Sequence, residues 1–259
     1  MEDLRKVFHK ELDEIRDDIV RMAALVTECI PRGTEAFLDM DLVAAQRLID
    51  DDDILDELSV DFEERCYQLV ARQAPMASDL RAIMAALTMN SEIERSGDLV
   101  VNIAKATRRV YGSTFDPRLR GMLQEMSGEA QRLFRFAIDA YVEGDVGLAA
   151  ALDDIDDRLD ELNHEVVGLI FAAHTAGDID LQAAVQLALI ARYYERIGDH
   201  AVNIGERVRY MVTGWLKENT GASRAKVART HSPLGAAVAD GPFADDSPLD
   251  AAGGGDESP

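Results

Sequence analysis

Two segments of the sequence, 101 positions apart, are nearly the same: EIERSGDLVVNIAKATRRV at residues 92–110 and YYERIGDHAVNIGERVRYM at residues 193–211. Both have apolar residues at helical spacing. In each segment a Glu, an Asp and an Asn follow one another at intervals of four, which places them on one face of a helix. The repetition predicts two copies of one helical unit.

A second repeated stretch lies upstream of the first in each copy. Residues 36–58, AFLDMDLVAAQRLIDDDDILDEL, match residues 140–162, AYVEGDVGLAAALDDIDDRLDEL, with a shift of 104 positions. Each copy is therefore predicted to hold three helices. The first helix is expected to end near Met40 or Gly144, the second to end near Gln73 or His174, and the third to begin near Ser78 or Asp180.

These patterns predict an all-α, elongated fold of six helices in two pseudo-symmetric three-helix bundles. The first repeat is assigned to residues 1–113 and the second to residues 114–217. Residues 218–259 are acidic, rich in Gly, Pro and Ala and without helical apolar spacing, which predicts a disordered tail. Pro31 is expected to kink or split the first helix near Ile30.

The charge balance narrows the possible ligands. With 49 acidic and 27 basic residues the net charge is −22, which argues against nucleic acid as a partner and favours cations. Two cysteines, Cys29 and Cys66, do not form a disulfide framework. The charged N-terminus and the lack of a long apolar run predict a soluble, cytoplasmic protein.

The repeated acids are expected to face each other across neighbouring helices. The first carboxylate set comprises Asp52, Asp56, Glu94 and Asp98, and the second carboxylate set comprises Asp156, Asp160, Glu195 and Asp199. Four carboxylates this close require protons or a counter-charge. All-oxygen ligands suit Mg²⁺, Mn²⁺, Ca²⁺ or iron better than copper or structural zinc. A solvated acidic face is the alternative explanation.

Several neighbouring residues have expected roles. Gly97 and Gly198 indicate close helix approach, since glycine inside a helix costs about 1 kcal/mol relative to alanine. Supporting ligands or neutralising partners are Asn102, Asn203, Arg95 and Arg196. His164 and His200 have no counterpart in the other copy, so they are predicted to be hydrogen-bonded histidines and not metal ligands.

ERSGDLVVNI, ERIGDHAVNI, PMASDLR and the two DxxxD segments together resemble the PhoU family, which regulates bacterial phosphate uptake. The similarity spans about residues 1–215. It implies metal ions, iron first, with manganese, magnesium, calcium or zinc as alternatives, held by the first and second carboxylate sets. Ser96 departs from the usual ERIGD motif without removing a ligand.

The resemblance also implies a function without enzymatic activity. Such a protein is expected to be a negative regulator of the phosphate-starvation response. It would couple the ATPase of a phosphate ABC transporter to a sensor histidine kinase. It would reach the inner membrane only through these partners, and a homodimer is a possible oligomeric state. Two alternatives remain, a carboxylate-bridged di-metal oxidase or hydrolase and a metal-free helical adaptor that binds basic partner segments.

Overall fold

The computed structural model describes residues 2–215, and all regular secondary structure in this range is α-helical. The helices are α1 (Glu2–Leu38), α2 (Leu42–Gln73), α3 (Ser78–Arg109), α4 (Pro117–Glu143), α5 (Val146–Ala176) and α6 (Leu181–Thr213). The predicted all-α fold of six helices is confirmed. The predicted boundary between the repeats falls in the segment between α3 and α4.

The described residues belong to one compact unit, Met1–Lys217. The predicted disordered tail, residues 218–259, lies outside the described residues. Within residues 2–215, none of the helices is both long enough and apolar enough to cross a bilayer. Both cysteines are free thiols.

Four helices form the centre of the compact unit. Helix α1 packs on α3 and α4, and α6 packs on α3 and α4. The two remaining helices are peripheral: α2 lies against α1 and α3, and α5 lies against α4 and α6. One apolar core runs through all six helices. Helices α2 and α5, which carry the repeated aspartates, thus pack on α3 and α6, which carry the ERxGD segments.

Aspartates and glycines define most helix ends. Asp41, Asp116 and Asp145 each accept hydrogen bonds from two backbone N–H groups in the first turn of α2, α4 and α5, which satisfies donors that the helix leaves open. Gly144 and Gly177 end α4 and α5 with φ angles of 63° and 81°, a region that glycine adopts without steric cost.

Helix α1 continues through Pro31, so the predicted split near Ile30 does not occur, while the alternative of a kink there stays a prediction. Proline has no N–H, so the carbonyl of Thr27 loses its usual partner within the helix. Gln131 of α4 donates from Nε2 to that carbonyl at 2.9 Å. A side chain of the second copy thus supplies the hydrogen bond that Pro31 cannot.

A buried hydroxyl cluster joins α1, α4 and α6 at the centre of the unit. The Thr34 hydroxyl lies 2.7 Å from Ser127 Oγ and 2.6 Å from Tyr194 OH. Tyr194 is fully buried, and burial, the largest influence, raises the pKa of its hydroxyl. Buried hydroxyls that satisfy one another fix the register of the helices carrying them.

Candidate metal centre

Gly97 and Gly198 allow the helices of each carboxylate set to approach closely. A methyl group on Gly97 would lie 2.5 Å from Leu55 Cδ2 and 3.7 Å from Asp52 Oδ1. On Gly198 it would overlap Asp156 Oδ1 and come within 2.8 Å of Leu159 Cδ2. The predicted close approach is confirmed in both copies. It brings one aspartate of α2 or α5 against the ERxGD segment of the facing helix.

In the first carboxylate set, burial raises the pKa of Asp52 to about 6, and the neighbouring carboxylates Asp56 and Asp98 add to the rise. Burial likewise raises the pKa of Glu94, again with contributions from Asp98 and Asp56. The structure therefore brings the four predicted acids of this set into electrostatic contact. Lys105 acts in the opposite direction on Asp52, without cancelling the rise.

The second carboxylate set is more enclosed. Two of its acids are buried, since Asp156 is 6% exposed and Glu195 is 9% exposed. In the first set, by contrast, no acid is buried: Asp52 and Glu94 are half-buried, and Asp56 and Asp98 are exposed. Asp160 is exposed on α5 and Asp199 is half-buried on α6. Glu195 forms an ion pair with Arg192, one turn before it on the same helix. Sequence reasoning missed this arginine because its position in the first copy is Ser91.

The predicted supporting residues lie on the expected helices, with differing contacts. Arg95 is exposed and lowers the pKa of Glu94, although burial and the carboxylates raise it more. Arg196 is exposed and Asn102 is half-buried. Asn203 donates from Nδ2 to Glu92 Oε2 at 3.2 Å.

The two sets fit a hard cation in donor type, since they supply only oxygen ligands. In the described part of the chain, however, no three Asp, Glu, His or Cys side chains are already arranged around one point that could hold a metal ion. Like-charged carboxylates favour conformations that keep them apart. The metal ligands therefore stay predictions.

A second polar cluster, not anticipated from the repeat, links the copies. His200 Nδ1 on α6 lies 2.6 Å from Glu92 Oε2 on α3, and both residues are buried. Burial alone would raise the pKa of Glu92, but the hydrogen bonds from His200 and Asn203 outweigh it and hold that pKa below its usual value. The carboxylate accepts, so Nδ1 carries the proton.

The prediction that both histidines are hydrogen-bonded is confirmed, because His164 Nδ1 also donates to the Asp160 carbonyl at 2.8 Å. The sequence did contain a signal for the Glu92–His200 contact. The repeat places Tyr193 and Leu99 at the equivalent positions, so both members of the pair depart from it. Two polar departures on helices that pack together indicate a compensating pair.

The raised pKa of Asp52 predicts a pH dependence of stability. Its usual value is 3.8 and its folded value is about 6, so between these pH values the folded chain holds a proton that the unfolded chain releases. Its contribution to stability is therefore present at low pH and is lost as pH rises to about 6. Denaturation in the presence of chelator should show that the free energy of unfolding falls less between pH 5 and pH 7 for Asp52→Asn than for the parent.

Asp53→Asn is the matched control, since this exposed neighbour on α2 carries the same charge. A loss between pH 5 and pH 7 that is as large in Asp52→Asn as in Asp53→Asn would contradict the pH prediction. Saturating Mn²⁺ should abolish the loss in the parent, because a bound cation favours the ionised carboxylate.

Taken together, the fold and the carboxylate sets define a class: an all-helical protein made of two copies of an acid-rich three-helix unit. A family model described as the PhoU domain matches this chain twice, at residues 19–107 and 123–208. The chain belongs to the PhoU family. Both matched segments contain one ERxGD motif.

Two curated relatives are similar over most of their length. The Thermotoga maritima protein named phosphate-specific transport system accessory protein PhoU homolog 1 is 34% identical over 207 residues, covering 80% of this chain and 89% of the relative. The Mycobacterium tuberculosis PhoU homolog 2 is 34% identical over 212 residues, covering 82% and 99%.

Solved structures agree with the helical architecture. The crystal structure of PhoU from Pseudomonas aeruginosa has a TM-score of 0.75 at 27% identity, covering 80% of this chain and all of that one. The phosphate transport system regulatory protein PhoU from Streptococcus pneumoniae also has a TM-score of 0.75, at 24% identity, covering 82% and 99%. The Streptococcus match supports the fold alone.

Proposed function

We propose that this chain is an accessory protein of a phosphate-specific transport system and represses the phosphate-starvation response when phosphate is plentiful. The observation that carries the proposal is the double match to the PhoU domain. The phosphate-specific transport system is taken from the names of curated relatives that align over nearly their whole length. The chain acts as a cytoplasmic regulator and not as an enzyme.

In this proposal the regulator is an adaptor. It contacts the ATPase of the phosphate ABC transporter and holds a sensor histidine kinase in its non-signalling state, as the family resemblance implies. The strongly acidic chain, with a net charge of −22, favours partners with basic contact surfaces and accelerates their encounter. A homodimer is compatible with this role.

The carboxylate sets hold metal ions, with iron, manganese, magnesium, calcium or zinc as candidates. Asp52, Asp56, Glu94 and Asp98 would bind one ion or cluster, and Asp156, Asp160, Glu195 and Asp199 another. A bound cation neutralises the mutual repulsion of the carboxylates and so stabilises the packing of α2 on α3 and of α5 on α6. The metal would thereby fix the surface that partners contact.

A deletion strain tests the regulatory role. Transcription from a phosphate-starvation promoter should be high in phosphate-rich medium when the gene is deleted, and the parent gene should restore repression. A promoter that stays silent in the deletion strain in high phosphate contradicts the regulatory role. Complementation with Asp52→Asn plus Asp156→Asn then shows whether repression depends on the carboxylate sets, with Asp53→Asn plus Asp157→Asn as the charge-matched control.

A further inference from the structure

The two carboxylate sets are related by the repeat but differ in their built-in positive charge. Arg192 of α6 forms an ion pair with Glu195 of the second set. The equivalent position in α3 is Ser91, which cannot carry a charge. Near the first set, Lys105 and Arg95 influence the acids only through longer-range electrostatics.

The ion pair occupies an oxygen that a metal would need. A cation binding at Glu195 has to displace the guanidinium, because the ion pair already places a positive charge at one carboxylate oxygen. Glu195 is nearly buried while the Arg192 side chain is 54% exposed. The arginine can therefore swing into solvent, but leaving the carboxylate behind costs more at a buried site than at the surface.

The first set is open by comparison. Asp52 lies beside a cavity of about 190 Å³ between α1, α2 and α3, whose wall includes Val26, Gly97 and Val100. Lys105 and Arg95 act on its acids only at longer range, whereas Arg192 is in direct contact with Glu195 of the second set. Because cation affinity rises with the number of uncompensated ligand charges, the two sets should differ in how strongly they bind the same ion.

We propose that Arg192 serves as a resident counter-ion of the second carboxylate set, so that the first set takes up a divalent cation preferentially. The second set fills only when the guanidinium withdraws from Glu195. Arg192 is thus a residue that determines the order of metal binding. The inference rests on the proposed metal binding and adds to it the inequivalence of the two sets.

The test is a titration of chelator-treated full-length protein with Mn²⁺, following free Mn²⁺ by electron paramagnetic resonance. The parent should show two classes of site, with Glu94→Gln removing the tighter one and Glu195→Gln the weaker one. Arg192→Ser should tighten the weaker class by about tenfold, because it removes a competing charge, and should leave the tighter class unchanged.

The reverse exchange, Ser91→Arg, should weaken the tighter class by about tenfold. Arg132→Ser on α4 is the control: it removes the same charge and breaks another three-spaced ion pair, with Glu129. Neither class should change in this control. Because these arginines are half-exposed, the fold should survive both Arg→Ser substitutions.

The outcomes of this titration separate the inference from the metal proposal. If Mn²⁺ binds but the weaker class is the same in Arg192→Ser as in the parent, the inference is overturned while metal binding stands. The same holds if Arg132→Ser has an equal effect, or if Glu94→Gln leaves the tighter class in place. If the parent binds no Mn²⁺, both are overturned.

Discussion

His200→Leu is expected to lower the free energy of unfolding by about 1.5–3 kcal/mol, the usual contribution of a hydrogen bond to a charged group. Glu92 is 8% exposed and accepts hydrogen bonds from His200 and Asn203. Leucine fills the space but donates nothing, so the carboxylate would keep only the amide donor. Urea denaturation at pH 7 measures the loss.

His164→Leu is the matched control. His164 is exposed, and its Nδ1 donates only to a carbonyl of its own helix, so a change within about 0.5 kcal/mol is expected. Adding Glu92→Gln to His200→Leu removes the buried charge and should recover at least half of the lost stability. An equal effect of His164→Leu and His200→Leu, or no recovery in the double variant, would show that the Glu92 charge is not what His200 stabilises.

Gly205→Ala is expected to lower the free energy of unfolding by about 1–3 kcal/mol through overpacking. An added methyl group would lie 2.9 Å from the Ala149 carbonyl oxygen and 2.5 Å from Leu152 Cδ1. A backbone atom cannot rotate away, so α5 and α6 would have to separate. This outweighs the gain of about 1 kcal/mol that alanine gives inside a helix.

The repeat alone would lead to the opposite expectation. The position equivalent to Gly205 is Ala104, which is fully buried in a small cluster with Ala36, Ala45 and Leu48, so alanine is accommodated in the first copy. Gly168→Ala on α5 serves as the control, because no atom lies within 4 Å of its added methyl group. The higher helix propensity of alanine is then the only expected effect on stability. A Gly205→Ala protein as stable as the parent would contradict the close α5–α6 packing.

Local patterns were sufficient to predict the six helices. Apolar spacing, turn residues and the two repeated stretches depend on neighbours in sequence. The glycines of ERxGD also predicted the close approach, because their cost in a helix needs a compensating contact.

Long-range pairing could not be predicted in the same way. The continuity of α1 through Pro31 depends on Gln131, which lies 104 positions away from Thr27. Arg192 and the Glu92–His200 pair occupy positions where the two copies differ, whereas the repeat draws attention to positions where they agree. Which departures compensate each other is decided by the packing of α3 on α6.

The most direct test of the central claim is the metal content per chain, measured by mass spectrometry on protein purified without a metal-binding tag. We predict stoichiometric iron, manganese or another oxygen-preferring ion in the parent, and its loss in the Glu94→Ala, Glu195→Ala double variant. Chelator should lower the melting temperature of the parent but not of that variant. Equal stability and no metal in both proteins would contradict the account and leave the acids as a surface for basic partners.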